Sequence, residues 1–144
     1  MREIRFYNSR TKKIEEFRSI LPNLVKIYSC GPTVYDYAHI GNIRSFVFAD
    51  ILKRVLILNG SPVKHVMNIT DFGHLVGDGD DGEDKMSVGL KRENLPRTLE
   101  GMKTLADKYT NLFTEDLKKM NIILPDVLPR ASENIPEYIN CLLY

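Results

Sequence analysis

Apolar positions in the first twenty residues form two short sets, Ile4 with Phe6 and Ile14 with Phe17, on either side of the polar run 8–12. That pattern predicts a hairpin. LVKIYSC at 24–30 is a short apolar run ended by Gly31-Pro32, which reads as a buried strand. From Asn42 the period changes: Ile43, Val47, Ile51, Val55 and Leu58 recur at helical spacing, and Phe48, Leu52 and Leu56 widen the stripe. The spacing predicts a helix with that stripe inward, with Asp50, Lys53 and Arg54 on its other side, and with Gly60 as its stop. VKHVMNIT at 63–70, rich in β-branched residues and broken by Asp71-Phe72-Gly73, reads as a second strand. Apolar residues from Leu99 to Met120 make a long amphipathic helix, a packing surface and not a cofactor box. PRASENIPEYINCLLY starts a further helix with Ser132 as its N-cap. It stops at Tyr144 inside an apolar run with no capping signal, which predicts a chain cut within an element or one that continues in the natural protein.

The order strand, helix, strand over 21–74 has a topological consequence, because two strands joined by such a crossover run parallel. Their C-terminal ends share one sheet edge. That edge carries Cys30 and Thr70, and the helix start at Gly41-Asn42 opens beside Cys30, preceded by His39. Ligands of open α/β sheets bind at that edge, and helix N-termini favour anions such as phosphate. The spacing therefore proposes a pocket lined by a thiol, a threonine, a histidine and a helix start. Each residue also has a plainer reading. Cys30 reads as a small buried hydrophobe, His39 as a helix N-terminal residue with a satisfied ring, and Thr70 as a strand-end hydroxyl capping a turn.

Composition sets the outer limits. With 144 residues and 43% hydrophobic content, the chain has the size and core of one domain. Twenty basic against nineteen acidic side chains leave a net charge of +1, which excludes a globally basic nucleic-acid binder. No apolar run reaches the roughly 18 residues of a membrane span, and the N-terminus lacks a signal-peptide core, so a cytoplasmic protein is expected. Cys30 and Cys141 do not make a disulfide framework. The stretch 75–96 is rich in glycine and acid and reads as a surface loop. Counted as a calcium loop from Asp78, it places Gly82 where an oxygen ligand is needed and Glu83 where glycine is needed, so the match fails. Cys141, His65 and His74 receive no role.

Three segments carry a resemblance: YSCGPTVYDYAHIGNIRSFVFADILKR from Tyr28, NITD from Asn68, and PRASENI from Pro129. Together they resemble the N-terminal part of cysteinyl-tRNA synthetases, class I aminoacyl-tRNA synthetases. The resemblance implies an α/β, Rossmann-like catalytic core, first half only, with a parallel sheet flanked by helices behind the N-terminal hairpin of residues 1–20. Residues 97–144 are then a truncated helical segment. It also implies ATP-dependent activation of cysteine and transfer to tRNA(Cys), with ATP and Mg2+ as substrate. Cys30 matches a family zinc ligand, the other Zn2+ ligands being expected beyond residue 144. Zinc prefers sulfur and drives a coordinating thiol to its thiolate, so it would distinguish cysteine from serine. His39 and Asn42 match the His-Ile-Gly-His signature, whose last position is asparagine here, as catalytic and ATP-binding residues. Gly41 is expected to let the nucleotide approach the backbone. Gly31 and Thr70 resemble positions lining the cysteine pocket. DKMSVG at 84–89 shares only three letters with the family's Lys-Met-Ser-Lys-Ser loop and is not assigned to it. The chain reads as a fragment, inactive alone. A cysteine ligase of the mycothiol pathway with the same core, or a non-catalytic paralogue that binds a nucleotide or partner, are the alternatives.

Overall fold

The computed structural model describes residues 3–72 and 84–142. His74 and the acidic stretch 78–83 lie outside the described residues. The hairpin is formed by β1 (Arg5–Asn8) and β2 (Lys13–Glu16), which pair antiparallel. Lys12 takes a positive φ of 56° at the turn, and Phe6 meets Phe17 edge to face at 5.4 Å.

A parallel sheet carries the rest. β3 (Val25–Ser29) pairs with β4 (Val63–Met67) in the register Val25 to Val63 through Ser29 to Met67. Residues 126–131 run parallel along the other side of β4, with Met67 N–H donating to Val127, Ile69 N–H to Pro129 and Ala131 N–H to Ile69. β4 is thus the central lane. Along β4 and the residues that follow it, His65, Met67 and Ile69 alternate and are buried, Met67 and Ile69 within the main core. The remaining elements are α1 (Ile40–Leu58), α2 (Lys85–Arg92), α3 (Leu99–Lys119), a 3-10 turn (Ala131–Asn134) and α4 (Ile135–Leu142). Val34, Phe46, Met67, Ile69, Leu90, Leu105, Phe113 and Leu117 lie in one continuous core. Asn59 ends α1, and Gly60 follows at φ 82°, where a side chain would be strained.

Three expectations need correction. The inward side of α1 is formed by Ile43, Phe46, Ala49, Asp50, Lys53 and Leu56, while Phe48, Ile51, Val55 and Leu58 of the expected stripe are exposed. The polar anchors decide this. Asp50 accepts the Ile123 N–H at 2.9 Å and pairs with Arg54 at 2.7 Å. Lys53 donates to the Leu124 carbonyl at 3.1 Å and to Asp126 at 3.2 Å. The surface loop expected through residue 96 contains α2, capped by Asp84, whose carboxylate accepts the Ser87 N–H, and buried through Met86 and Leu90. Ser132 is not an N-cap: it lies within the 3-10 turn, and both its N–H and its hydroxyl donate to Asp71, at 2.9 and 2.6 Å.

The closest backbone approach joins the end of β3 to the end of β4. A Cβ on Gly31 would stand 1.7 Å from the Asn68 carbonyl oxygen, so only glycine fits without moving a chain. Gly31→Ala should therefore destabilise the fold by at least about 3 kcal/mol, read by urea denaturation. A variant as stable as the parent would show that the two chain segments separate freely.

Buried polar groups beneath β4 set an acid limit on stability. His65 is 2% exposed, its Nε2 meets Ser29 Oγ at 2.8 Å, and its Nδ1 has no hydrogen-bond partner. Burial first, then the Lys53 charge, holds its pKa below the ordinary value, against the opposing pull of Asp126 and Asp50. The Asp126 carboxyl is also lowered, first by the His65 N–H and then by Lys53. Unfolding frees His65 to take up a proton at its usual pKa, so stability should fall as pH drops below about 6.5. Asp126 adds a further loss in the acid range, as pH falls through its depressed pKa. Denaturation curves from about pH 7.5 to about pH 5 should show the decline, and His65→Gln should flatten it. An unchanged slope in that variant would assign the acid sensitivity elsewhere.

Candidate functional site

The site grows from the way one loop is tied on both flanks. β3 ends at Ser29, and the chain continues alongside β4: Thr70 N–H donates to the Pro32 carbonyl and Val34 N–H to the Thr70 carbonyl, both at 3.0 Å. Asn68 is the hub of this seam. Its Oδ1 accepts from the Gly31 N–H at 3.1 Å and from the Tyr28 hydroxyl at 3.0 Å, and its Nδ2 donates to Thr70 Oγ at 3.1 Å. Thr70 and Gly31 are therefore joined through Asn68, and Cys30 beside them is exposed.

On its other flank the loop is held by α2. Arg92 reaches the Tyr35 carbonyl and pairs with Asp36 at 2.6 Å, while donating to the Tyr109 hydroxyl at 2.9 Å. Tyr37 stacks edge to face on Tyr109 at 5.4 Å. Gly89 lets α2 press close, since a Cβ there would lie 2.9 Å from the Tyr35 carbonyl and 2.8 Å from Leu105.

The loop delivers His39 to the start of α1 as its N-cap. The imidazole Nδ1 accepts the Gly41 N–H at 3.0 Å, and the Asn42 side chain accepts the His39 N–H at 3.3 Å, a reciprocal capping box. Gly41 makes room for this ring, because a Cβ would stand 2.8 Å from His39 Cε1. The helix therefore starts at Ile40, before the Gly41-Asn42 start expected from the pattern. An accepting Nδ1 has no proton, so the ring proton is on Nε2, which is left to donate outward. His39 and Asn42 line a cavity of about 210 Å³ with Thr33, Tyr35, Asp36 and Lys85. Cys30, Gly31, Gly41 and Thr70 do not line it. Lys85 makes no ion pair among the described residues. The cavity is thus lined by an imidazole, the Asn42 amide, an ammonium and the Asp36 carboxylate at the head of α1, and the imidazole and the ammonium are groups that can meet phosphate oxygens.

Metal-binding capacity is much thinner. Among the described residues there is no group of three or more His, Cys, Asp or Glu placed to hold an ion. Cys30 is one candidate ligand, and these residues alone do not complete a four-coordinate zinc site. Cys141, on α4, is exposed. No helix among the described residues is long and apolar enough to cross a membrane.

The sequence reading gives no site role to Asn68, Asp36, Lys85 or Arg92, although Asn68 and Asp36 lie within quoted motifs and Lys85 within the DKMSVG stretch. Asn68 lies within a quoted motif, so its signal was present. Lys85 and Arg92 sit on a helix that the glycine-rich context concealed.

The three motifs are one connected unit in space. The segment Cys30-Gly31-Pro32-Thr33 lies against 68–70 through Asn68, and Asp71 bonds Ser132 of the third motif. Comparison with known proteins agrees with this. Residues 16–143 match the family model for the tRNA synthetases class I (C) catalytic domain. A cysteine–tRNA ligase of Zymomonas mobilis is 46% identical over 137 residues, covering 93% of this chain and 25% of that protein. Cysteine–tRNA ligase 1 of Burkholderia lata is 45% identical over 133 residues (92% and 27%), and the cysteine–tRNA ligase of Treponema denticola 45% over 139 (96% and 27%). The chain spans about a quarter of the length of these curated relatives. By the match over most of its length, and by the three motifs it folds together, the chain belongs to the class I (C) tRNA synthetase catalytic-domain family.

Proposed function

We propose that the chain is the opening part of the catalytic domain of a cysteine–tRNA ligase, acting in the cytoplasm on cysteine, ATP with Mg2+ and tRNA(Cys). The observation that carries this reading is the His39 helix start, whose Nδ1 accepts the Gly41 N–H and which lines one cavity with Asn42 and Lys85. In the first step a cysteine carboxylate oxygen attacks the α-phosphorus of ATP. The bond to the β-phosphate oxygen breaks, and cysteinyl adenylate and pyrophosphate are formed; the cysteinyl group then passes to tRNA. The protein's task in that step is to stabilise charge on phosphate oxygens. In this reading His39 supplies a donor and Lys85 positive charge for it. Gly31 and Thr70 lie on the cysteine side of the same sheet edge. Cys30 would contribute one soft ligand to a zinc whose remaining ligands would come from the rest of the enzyme.

The chain alone should show no cysteine-dependent exchange of pyrophosphate into ATP, and should carry well under one zinc per molecule. Exchange above a His39→Ala control, or stoichiometric zinc lost on Cys30→Ser, would contradict the fragment reading.

In a full-length ligase carrying this segment the two residues should separate. His39→Ala should slow adenylate formation by roughly 10²-fold while zinc stays bound. Cys30→Ser should lose zinc and the preference for cysteine over serine. Zinc content and exchange rates for both variants, measured side by side, test the assignment. A Cys30→Ser enzyme that keeps its metal and its preference would remove Cys30 from the site.

A further inference from the structure

Asp36 is an awkward neighbour for a phosphate. Its carboxylate lines the same cavity as His39, Asn42 and Lys85, and a negative charge there opposes an anionic ligand. Arg92, on α2, answers that charge. Its Nη1 meets Asp36 Oδ2 at 2.6 Å, while its Nη2 donates to the Tyr35 carbonyl and, at 2.9 Å, to the Tyr109 hydroxyl. Arg92 itself does not line the cavity.

The guanidinium is fixed from the core side. Tyr109 is 2% exposed, its hydroxyl donates to Glu93 at 2.6 Å, and Glu93 pairs with Lys108. Tyr37 packs edge to face on the same Tyr109 ring, so the loop residues on both sides of Asp36 are tied, through Arg92 or directly, to one buried side chain. A planar fork with several N–H groups can join a carboxylate, a carbonyl and a hydroxyl at once, whereas an ammonium on a flexible stem cannot do so in fixed directions. His39 follows Asp36 by three residues.

Screening decides when the charge matters. The Arg92 and Asp36 side chains are 38 and 42% exposed, so with water in the cavity the pair adds little to stability. A triphosphate seated there displaces that water, and an unanswered carboxylate would then oppose it at short range and lower effective dielectric.

We propose that Arg92 is a positioning residue of the nucleotide site: it masks the Asp36 carboxylate and holds residues 35–36, so that the Lys85 ammonium and the His39 ring are what the cavity offers to a polyphosphate. The inference rests on the ligase reading for the identity of that ligand, ATP. Arg92 acts through Asp36 and the loop, not on the reacting atoms.

The test uses a full-length ligase carrying this segment, with equilibrium ATP binding and cysteine-dependent pyrophosphate exchange measured on the same preparations, each checked for folding by its melting temperature. Arg92→Gln should raise the Kd and the KM for ATP by roughly tenfold, while the KM for cysteine stays within about twofold. Adding Asp36→Asn should bring ATP binding back to within about threefold of the parent, because the charge that needs masking is gone. A merely structural Arg92 would show no such restoration. Asp36→Asn alone keeps the Arg92 side chain and should tighten ATP binding about threefold, since the guanidinium charge is then left for the ligand; this arm holds even where Arg92→Gln does not fold. Loss of ATP and cysteine binding together, no restoration in the double variant, or weaker ATP binding in Asp36→Asn would overturn the proposal. A protein that shows the ATP effects without cysteine-dependent exchange would sink the ligase reading and leave Arg92 in its role. Exchange with an ATP KM indifferent to Arg92→Gln would do the reverse.

Discussion

The arrangement depends on one close contact, the Gly31 backbone lying against the Asn68 carbonyl. It brings the ends of β3 and β4 together more tightly than any side chain at position 31 would allow. The Asn68 amide then uses the proximity, accepting from Gly31 and Tyr28 and donating to Thr70. Everything downstream inherits this placement. The loop from Pro32 to His39 starts from a fixed point, α2 clamps its middle through Arg92, and His39 arrives at the head of α1 already oriented. A polar hub at a sheet edge would be a poor choice for stability alone, since each satisfied bond contributes only about 1 kcal/mol. What it supplies is position, held within a fraction of an ångström by bonds on both flanks of the loop.

The same logic explains why the hairpin and the β-α-β order were legible in the sequence and the facing of α1 was not. Strand runs broken by Gly-Pro and Asp-Phe-Gly, and a long apolar period between them, state element type directly. A helix apolar on two sides gives no such statement about which side goes in. Asp50 and Lys53 looked like solvent-facing charges, yet they are 7 and 4% exposed and hold the chain at 121–126 onto the helix. Burial of a charge is acceptable where its partners are fixed, and those partners are about 70 residues away in sequence. No local pattern can announce them. α2 was hidden for a related reason: Gly89 lowers helix propensity, and its use is tertiary, to let the helix touch Tyr35 and Leu105.

Residues named by a motif are legible in the sequence, and several that hold the motifs in place are not. Ser132 had the right identity for a cap and another task, as the ligand of the buried Asp71 carboxylate. That bond joins the second motif to the third. A short polar residue near a helix start is an N-cap by local rules, and only the third lane lying beside β4 makes Asp71 the better acceptor.

His39 unites what the sequence presented as competing readings. The plain one was a helix-start residue with a satisfied ring, and the chemical one a donor to a phosphate. The ring is satisfied at Nδ1 by the Gly41 N–H, and that bond is what leaves the proton on Nε2. Capping therefore selects the tautomer and fixes the ring plane, which is what a donor at Nε2 would require. It also gives Gly41 a reason independent of the nucleotide: a side chain there would displace the imidazole and undo the cap. Asn42 closes the box from the other side, accepting the His39 N–H with its side chain while lining the cavity. At this helix start the capping bonds and the cavity lining are made by the same two residues, so a change at either would disturb both.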